Sequence, residues 1–224
     1  MIDKITLYHG SINIIEKPEY GKGKSYNDYG LGFYMTEDLE LAKEWAVEEF
    51  SDGYANKYEL DLENLKIMNL SKDYNVLNWI AILIKNRSFN VKNDIAMLGK
   101  EYLLKHYLPN YEEYDVIIGY RADDSYFSYA EGFLNNTISL NKLNEALRIG
   151  DLGEQIVLKS KKAFNQLKFV GYIEAKKDIY YPSRETRNIN AKNEYNNTRK
   201  KTISADDIFL NDIMRGVLKD DTRL

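Results

Sequence analysis

The chain has 224 residues, 44% hydrophobic content and a formal net charge of −4 with charges of both signs spread along it. That fits one large globular domain and excludes a generic nucleic-acid coat or a strongly basic membrane-surface protein. It has no cysteine and only two histidines, which removes disulfides, a thiolate nucleophile, Cys-ligated zinc and a multi-His centre, so no metal is expected. The start, MIDKITLYHG, has no apolar leader-like run, and no apolar stretch nears the roughly 20 residues a membrane span needs. The expectation is a cytoplasmic chain with no membrane partner.

In chain order, KITLY (4–8) reads as a first strand that stops at HGS. A Gly-, Lys- and Tyr-rich loop follows over about 12–30, containing GKGKSYNDYG. LGFYMT (31–36) reads as a second short strand. TEDLELAKEWAVEEF reads as a helix with Thr36 as its N-cap and Leu39, Ala42, Trp45, Ala46 and Phe50 as its apolar stripe. Residues 57–69 read as strand, turn and strand, and 71–107 as helices closed by Pro109. YDVIIGY (114–120) has the pattern of a buried strand. RADDSYFSYAEGFLNN (121–136) begins as a loop and becomes a helix, in which Asp123 and Asp124 are candidate caps or acceptor contacts.

SLNKLNEALRIGD (139–151) reads as an amphipathic helix with Gly150 near its C-terminus, EQIVLKS (154–160) as a strand, and 162–175 as a short helix and a strand. The segment 184–201 holds six Lys/Arg against two Glu and few core candidates. It reads as a solvated linker or arm, ahead of a terminal amphipathic helix over 203–218. The fold class expected is α+β. Residues 1–180 form the main domain with a helical insertion at about 71–110, and 181–224 form a basic segment and C-terminal helix.

Three pieces carry candidate chemistry: Tyr8-His9-Gly10-Ser11, Gly30-Leu31-Gly32-Phe33-Tyr34 ahead of a helix, and Glu154-Gln155-Ile156-Val157. Alone, His9 reads as a strand-end histidine, Tyr34 as one of 19 tyrosines and Glu154 as an exposed acid. Together and in order they resemble the ADP-ribosyltransferases of the His-Tyr-Glu class, the diphtheria-toxin and poly(ADP-ribose)-polymerase branch. The resemblance covers residues 5–50 and 112–175. The whole chain, with RADDSYF and the basic tail, looks like an uncharacterised bacterial subfamily of that fold, encoded near small partner proteins.

The resemblance implies two small mixed or antiparallel sheets around an NAD cleft. It implies cleavage of the nicotinamide–ribose bond and transfer of ADP-ribose to a macromolecule, protein rather than nucleic acid, by a bacterial toxin with an antitoxin partner. NAD would be the substrate. Its departing pyridinium leaves an oxocarbenium-like ribosyl cation, so the enzyme must grip the nicotinamide, grip the ribose and place negative charge beside the cation.

Tyr34 suits the first task by stacking, with Trp45 eleven residues on as a second face and Gly10 and Ser11 as hydrogen-bonding groups. His9, as a neutral imidazole, suits the ribose. Glu154 suits the third task, and Arg121 would pair with the diphosphate. Leu152, two residues before Glu154, departs from the Glu-x-Glu pattern of the arginine-modifying branch. The remaining readings are an NAD glycohydrolase, an RNA 2′-phosphotransferase of related fold, and a non-catalytic NAD or ADP-ribose-binding module.

Overall fold

A computed structural model describes residues 4–122, 124–149 and 154–216. Two small sheets form its centre. The first is antiparallel, in the order β1 (Lys4–Ser11), β3 (Gly53–Asp61), β7 (Leu167–Ala175). The second has the order β2 (Phe33–Met35), β6 (Glu154–Leu158), β5 (Val116–Tyr120), β4 (Ile67–Asn69), with only the β4–β5 pair parallel. The α+β class and the two small sheets are as expected.

Side-chain alternation along the strands divides the interior into two layers. Leu7, Tyr58 and Leu60 from the first sheet meet Met35, Val116, Ile156 and Leu158 from the second. On the other face of the second sheet, Ile117 and Val157 join a larger core around Trp79, Tyr129 and Phe133. That core is covered by α3 (Val76–Asn86), α4 (Asp94–His106), α5 (Asp124–Leu134) and α6 (Leu140–Ile149). α3 is buried along eight of its residues, which is why its apolar run lacks a polar face. Residues 71–107, expected to be helical, hold α3, α4 and most of α2 (Leu70–Asp73).

Several local expectations need correction. α1 runs Leu39–Ala46 and is capped by Asp38, whose carboxylate accepts from Glu40 and Leu41 N–H. Thr36 is buried and exchanges backbone hydrogen bonds with Tyr8, so the strand pairing occupies the residue expected to cap. Phe50 lies past the helix end and is exposed.

The segment read as a solvated linker is part of α8 (Lys177–Lys200), and the expected boundary at 180 falls inside that helix. Tyr180, Arg184, Arg187, Ala191, Tyr195 and Thr198 recur at helical spacing and meet the body. Tyr180 donates to Glu40, Arg184 to Val47 C=O, Arg187 to Glu44, and Tyr195 and Thr198 meet Tyr129. α8 therefore spans from α1 to α5. The terminal helix, α9, covers only Leu210–Met214 among the described residues. A short α7 (Lys161–Asn165) completes the elements. Asp123, the side chain of Asp124, Gly150 and Leu152 lie outside the described residues.

Candidate functional site

A cleft of about 1090 Å³ opens where β1 and β2 part, walled by the loop 15–34, α1, β6, residues 121–122 and α8. Among the described residues, the backbones of β1 and the β2 segment are bridged only at Tyr8 and Thr36. Backbone groups of alternate strand residues point to the same edge. Tyr8 spends its pair on Thr36, so Gly10 turns its N–H and C=O to that edge, where β2 has diverged. Gly10 also admits α1: a Cβ there would lie 2.1 Å from Ala42 O and 2.7 Å from Ala46 N. Glycine is thus required by close approach of a helix backbone.

His9 lines the cleft with its ring against Phe33, centroids 4.4 Å apart. Its Nδ1 lies 2.7 Å from Tyr34 O. A carbonyl only accepts, so Nδ1 carries the proton and Nε2 is left as an acceptor in the neutral ring. Burial lowers the His9 pKa below the usual imidazole value, against a smaller opposing effect of the Tyr34 carbonyl. Asn56, fully buried, holds this strand end from behind. Its Nδ2 donates to His9 O and Asn13 O, and its Oδ1 accepts from Ile15 N–H.

Tyr34 and Trp45 both line the cleft. The Tyr34 hydroxyl donates to Gly30 O at 2.6 Å and accepts from Tyr29 N–H at 3.1 Å. The ring is thereby fixed by the turn that precedes its own strand. Burial pushes its phenol far above the ordinary value, so it stays neutral. Arg121 lies over the Trp45 ring, 4.3 Å from the centroid. The Trp45 indole N–H is buried and has no hydrogen-bond partner among the described residues.

The expected residues do not all converge. Ser11 is half-buried, accepts from Asn13 N–H and is not part of the wall. Glu154 is exposed at the start of β6 with Ser71 Oγ donating to its carboxylate, and it too lies outside the wall. Strand alternation places Glu154 with Ile156 and Leu158 on the face toward the first sheet, the face that His9 and Leu7 oppose. Gln155 takes the place in the cleft wall. Its amide group donates to Asp28 Oδ2 at 2.8 Å and to Tyr120 O at 3.2 Å. His106 ends α4 with its ring on Tyr102, away from the cleft.

Several wall residues had no sequence signal. Asp28 is buried and its carboxylate accepts from Arg87, Ala122 N–H and Gln155. It ties the loop, α3, the segment after β5 and β6 together. Arg184 and Arg187 come from α8. Among the described lining residues, seven Lys/Arg stand against four Asp/Glu, in a chain whose net charge is −4. The cleft is cationic on an acidic protein. Among the described residues, no group of three or more His, Cys, Asp or Glu is placed to hold a metal ion. No described helix is long and apolar enough to cross a membrane.

Residues 5–169 match the model of a family described as Protein of unknown function (DUF3990), and the chain belongs to that family. No curated protein and no solved structure matches it.

Proposed function

We propose that the cleft binds NAD and that the protein is an ADP-ribosyltransferase. The observation that carries this reading is the parted edge of β1 and β2. The N–H and C=O of Gly10 face it, matching the acceptor and donor of a carboxamide, beside the aromatic side chains of Tyr34 and Trp45. The neutral His9 leaves Nε2 to accept from a ribose hydroxyl. The cationic wall suits the diphosphate.

In this mechanism the C–N bond between ribose and nicotinamide breaks, and its electron pair neutralises the pyridinium ring. An acceptor nucleophile then bonds to the anomeric carbon and gives up its proton. Glu154, which lies outside the wall, must turn from Ser71 toward the cleft to supply negative charge beside the ribosyl cation and orient the 2′-hydroxyl. A macromolecular acceptor, protein rather than nucleic acid, a toxin role and an antitoxin partner follow from the sequence resemblance alone, and a cytoplasmic setting from the lack of an apolar leader-like run or membrane-length stretch in the sequence. Water as acceptor would make the protein an NAD glycohydrolase.

A reading of a different class is favoured by one observation. The residue of β6 in the wall is the neutral Gln155, and the carboxylate of Glu154 is turned to Ser71. A cleft without the carboxylate would bind NAD or ADP-ribose without cleaving it. Incubation with NAD labelled on the nicotinamide separates the enzyme from the binding module. Nicotinamide release by the wild type, lost in Glu154→Ala and kept in Gln155→Ala, supports the enzyme readings, and an adenine label recovered on a macromolecule then selects the transferase over the glycohydrolase. NAD binding without release, alone or with a cell extract, supports the module. Absence of NAD binding sinks both.

A further inference from the structure

The positive charge of the cleft is not spread evenly among its ion pairs. Three of the four lining carboxylates are engaged: Asp28 by Arg87 at 2.7 Å, Glu44 by Arg187 at 2.8 Å and Glu19 by Lys22 at 2.7 Å. Among the described residues, no carboxylate lies within ion-pair distance of Lys17, Lys24 or Arg184, which share the same wall. Lys24 sits near the Tyr26 ring, 5.9 Å from its centroid.

Arg184 differs from the two lysines in being held. Its Nη1 donates to the carbonyl of Val47 at 2.8 Å, and its guanidinium lies over Tyr181, 5.0 Å from the ring centroid. Val47 is the C-cap of α1, where the helix dipole favours a cation. One donor of the planar fork is committed there, and four others remain for a ligand. A guanidinium fixed in this way loses little entropy when it binds a phosphate.

We propose that Arg184, with Lys17 and Lys24, forms an anion subsite of the cleft that holds the diphosphate of a dinucleotide. α8 then belongs to the ligand-binding unit, although it lies beyond the residues 5–169 that define the family match. The identity of the ligand rests on the NAD reading above. The subsite itself is tested without it.

Calorimetric titration of the intact chain with inorganic pyrophosphate, ADP-ribose and phosphate-free nicotinamide riboside provides the test. Arg184→Gln is expected to weaken pyrophosphate and ADP-ribose about tenfold and leave the riboside unchanged, with Arg184→Lys recovering part of the loss. The Lys17→Gln/Lys24→Gln pair is expected to flatten the salt dependence of both anions. Thermal unfolding shows whether Arg184→Gln folds; should it not, the lysine pair in the exposed loop carries the test. Failure of the wild type to bind pyrophosphate, or unchanged pyrophosphate binding in every folded variant, overturns the subsite. Nicotinamide release with an unaltered KM for NAD in Arg184→Gln overturns it and leaves the transferase standing. Pyrophosphate binding that depends on Arg184, without any nicotinamide release, keeps the subsite and removes the transferase.

Discussion

Arg187 of α8 reaches Glu44 of α1 at 2.8 Å, with the glutamate side chain 9% exposed and the arginine 30%. The pair fastens the tail helix to the element that carries Trp45. Removing the arginine strands a buried carboxylate, which costs more than the pair itself contributes. Arg187→Ala is expected to lower stability by about 2 kcal/mol, reduced from the fully buried case because the arginine is partly solvated. Adding Glu44→Gln to it should restore at least half of the loss. A double-mutant cycle by urea denaturation checks this. Additive losses would mean that the two side chains do not depend on each other.

The same helix shows where sequence reading stopped. α8 has a regular inward stripe at 180, 184, 187, 191, 195 and 198, but the residues are Tyr, Arg, Arg, Ala, Tyr and Thr. A helix whose buried contacts are hydrogen bonds and ion pairs has no hydropathy period to read. The strands and α3 were legible because their burial is apolar. At the site, His9, Gly10 and Tyr34 stood out through motif order, Trp45 through its spacing from Tyr34 and Arg121 through its place after a buried strand, and all five line the cleft. Gln155 was not. EQIVL alternates across two faces, and nothing in five letters says which face meets the cleft. Asp28 was invisible for another reason: its partners lie 59, 94 and 127 residues away.

Gly10→Ala tests whether the helix approach fixes the site. A methyl group would meet the carbonyl of Ala42 and the amide of Ala46 at 2.1 and 2.7 Å, and neither is the tip of a flexible side chain. α1 must move or the strand must. The expected cost is about 3 kcal/mol, seen as a large fall in thermal midpoint. A variant with wild-type stability would show that α1 does not press on β1.

His9 makes stability depend on pH with a definite sign. Burial lowers its folded pKa below the unfolded value of 6.5. The unfolded chain therefore takes up a proton first as pH falls, and stability rises with pH through that window. The contribution is full above pH 6.5 and is lost as pH falls toward the folded pKa. Relative to His9→Gln, which keeps a donor toward the Tyr34 carbonyl but does not titrate, the wild type should lose stability between pH 7.5 and 5.5. Unfolding free energies at the two values measure it. Parallel curves for the two proteins would place His9 in water.

Gln155→Glu places a second carboxylate where an amide now donates to Asp28 Oδ2 at 2.8 Å. Two carboxylates at that distance cannot both ionise without a large cost, so the new group's pKa rises in the folded state. The unfolded chain releases its proton near pH 4.3, and the folded chain holds it longer. Stability of the variant therefore falls relative to wild type as pH rises from 4.3 through the raised pKa. The expected deficit is small at pH 5 and about 2 kcal/mol at pH 8. Urea denaturation at both pH values measures it. A deficit equal at pH 5 and pH 8 would mean that Gln155 contributes shape alone and that its amide bond to Asp28 does not form.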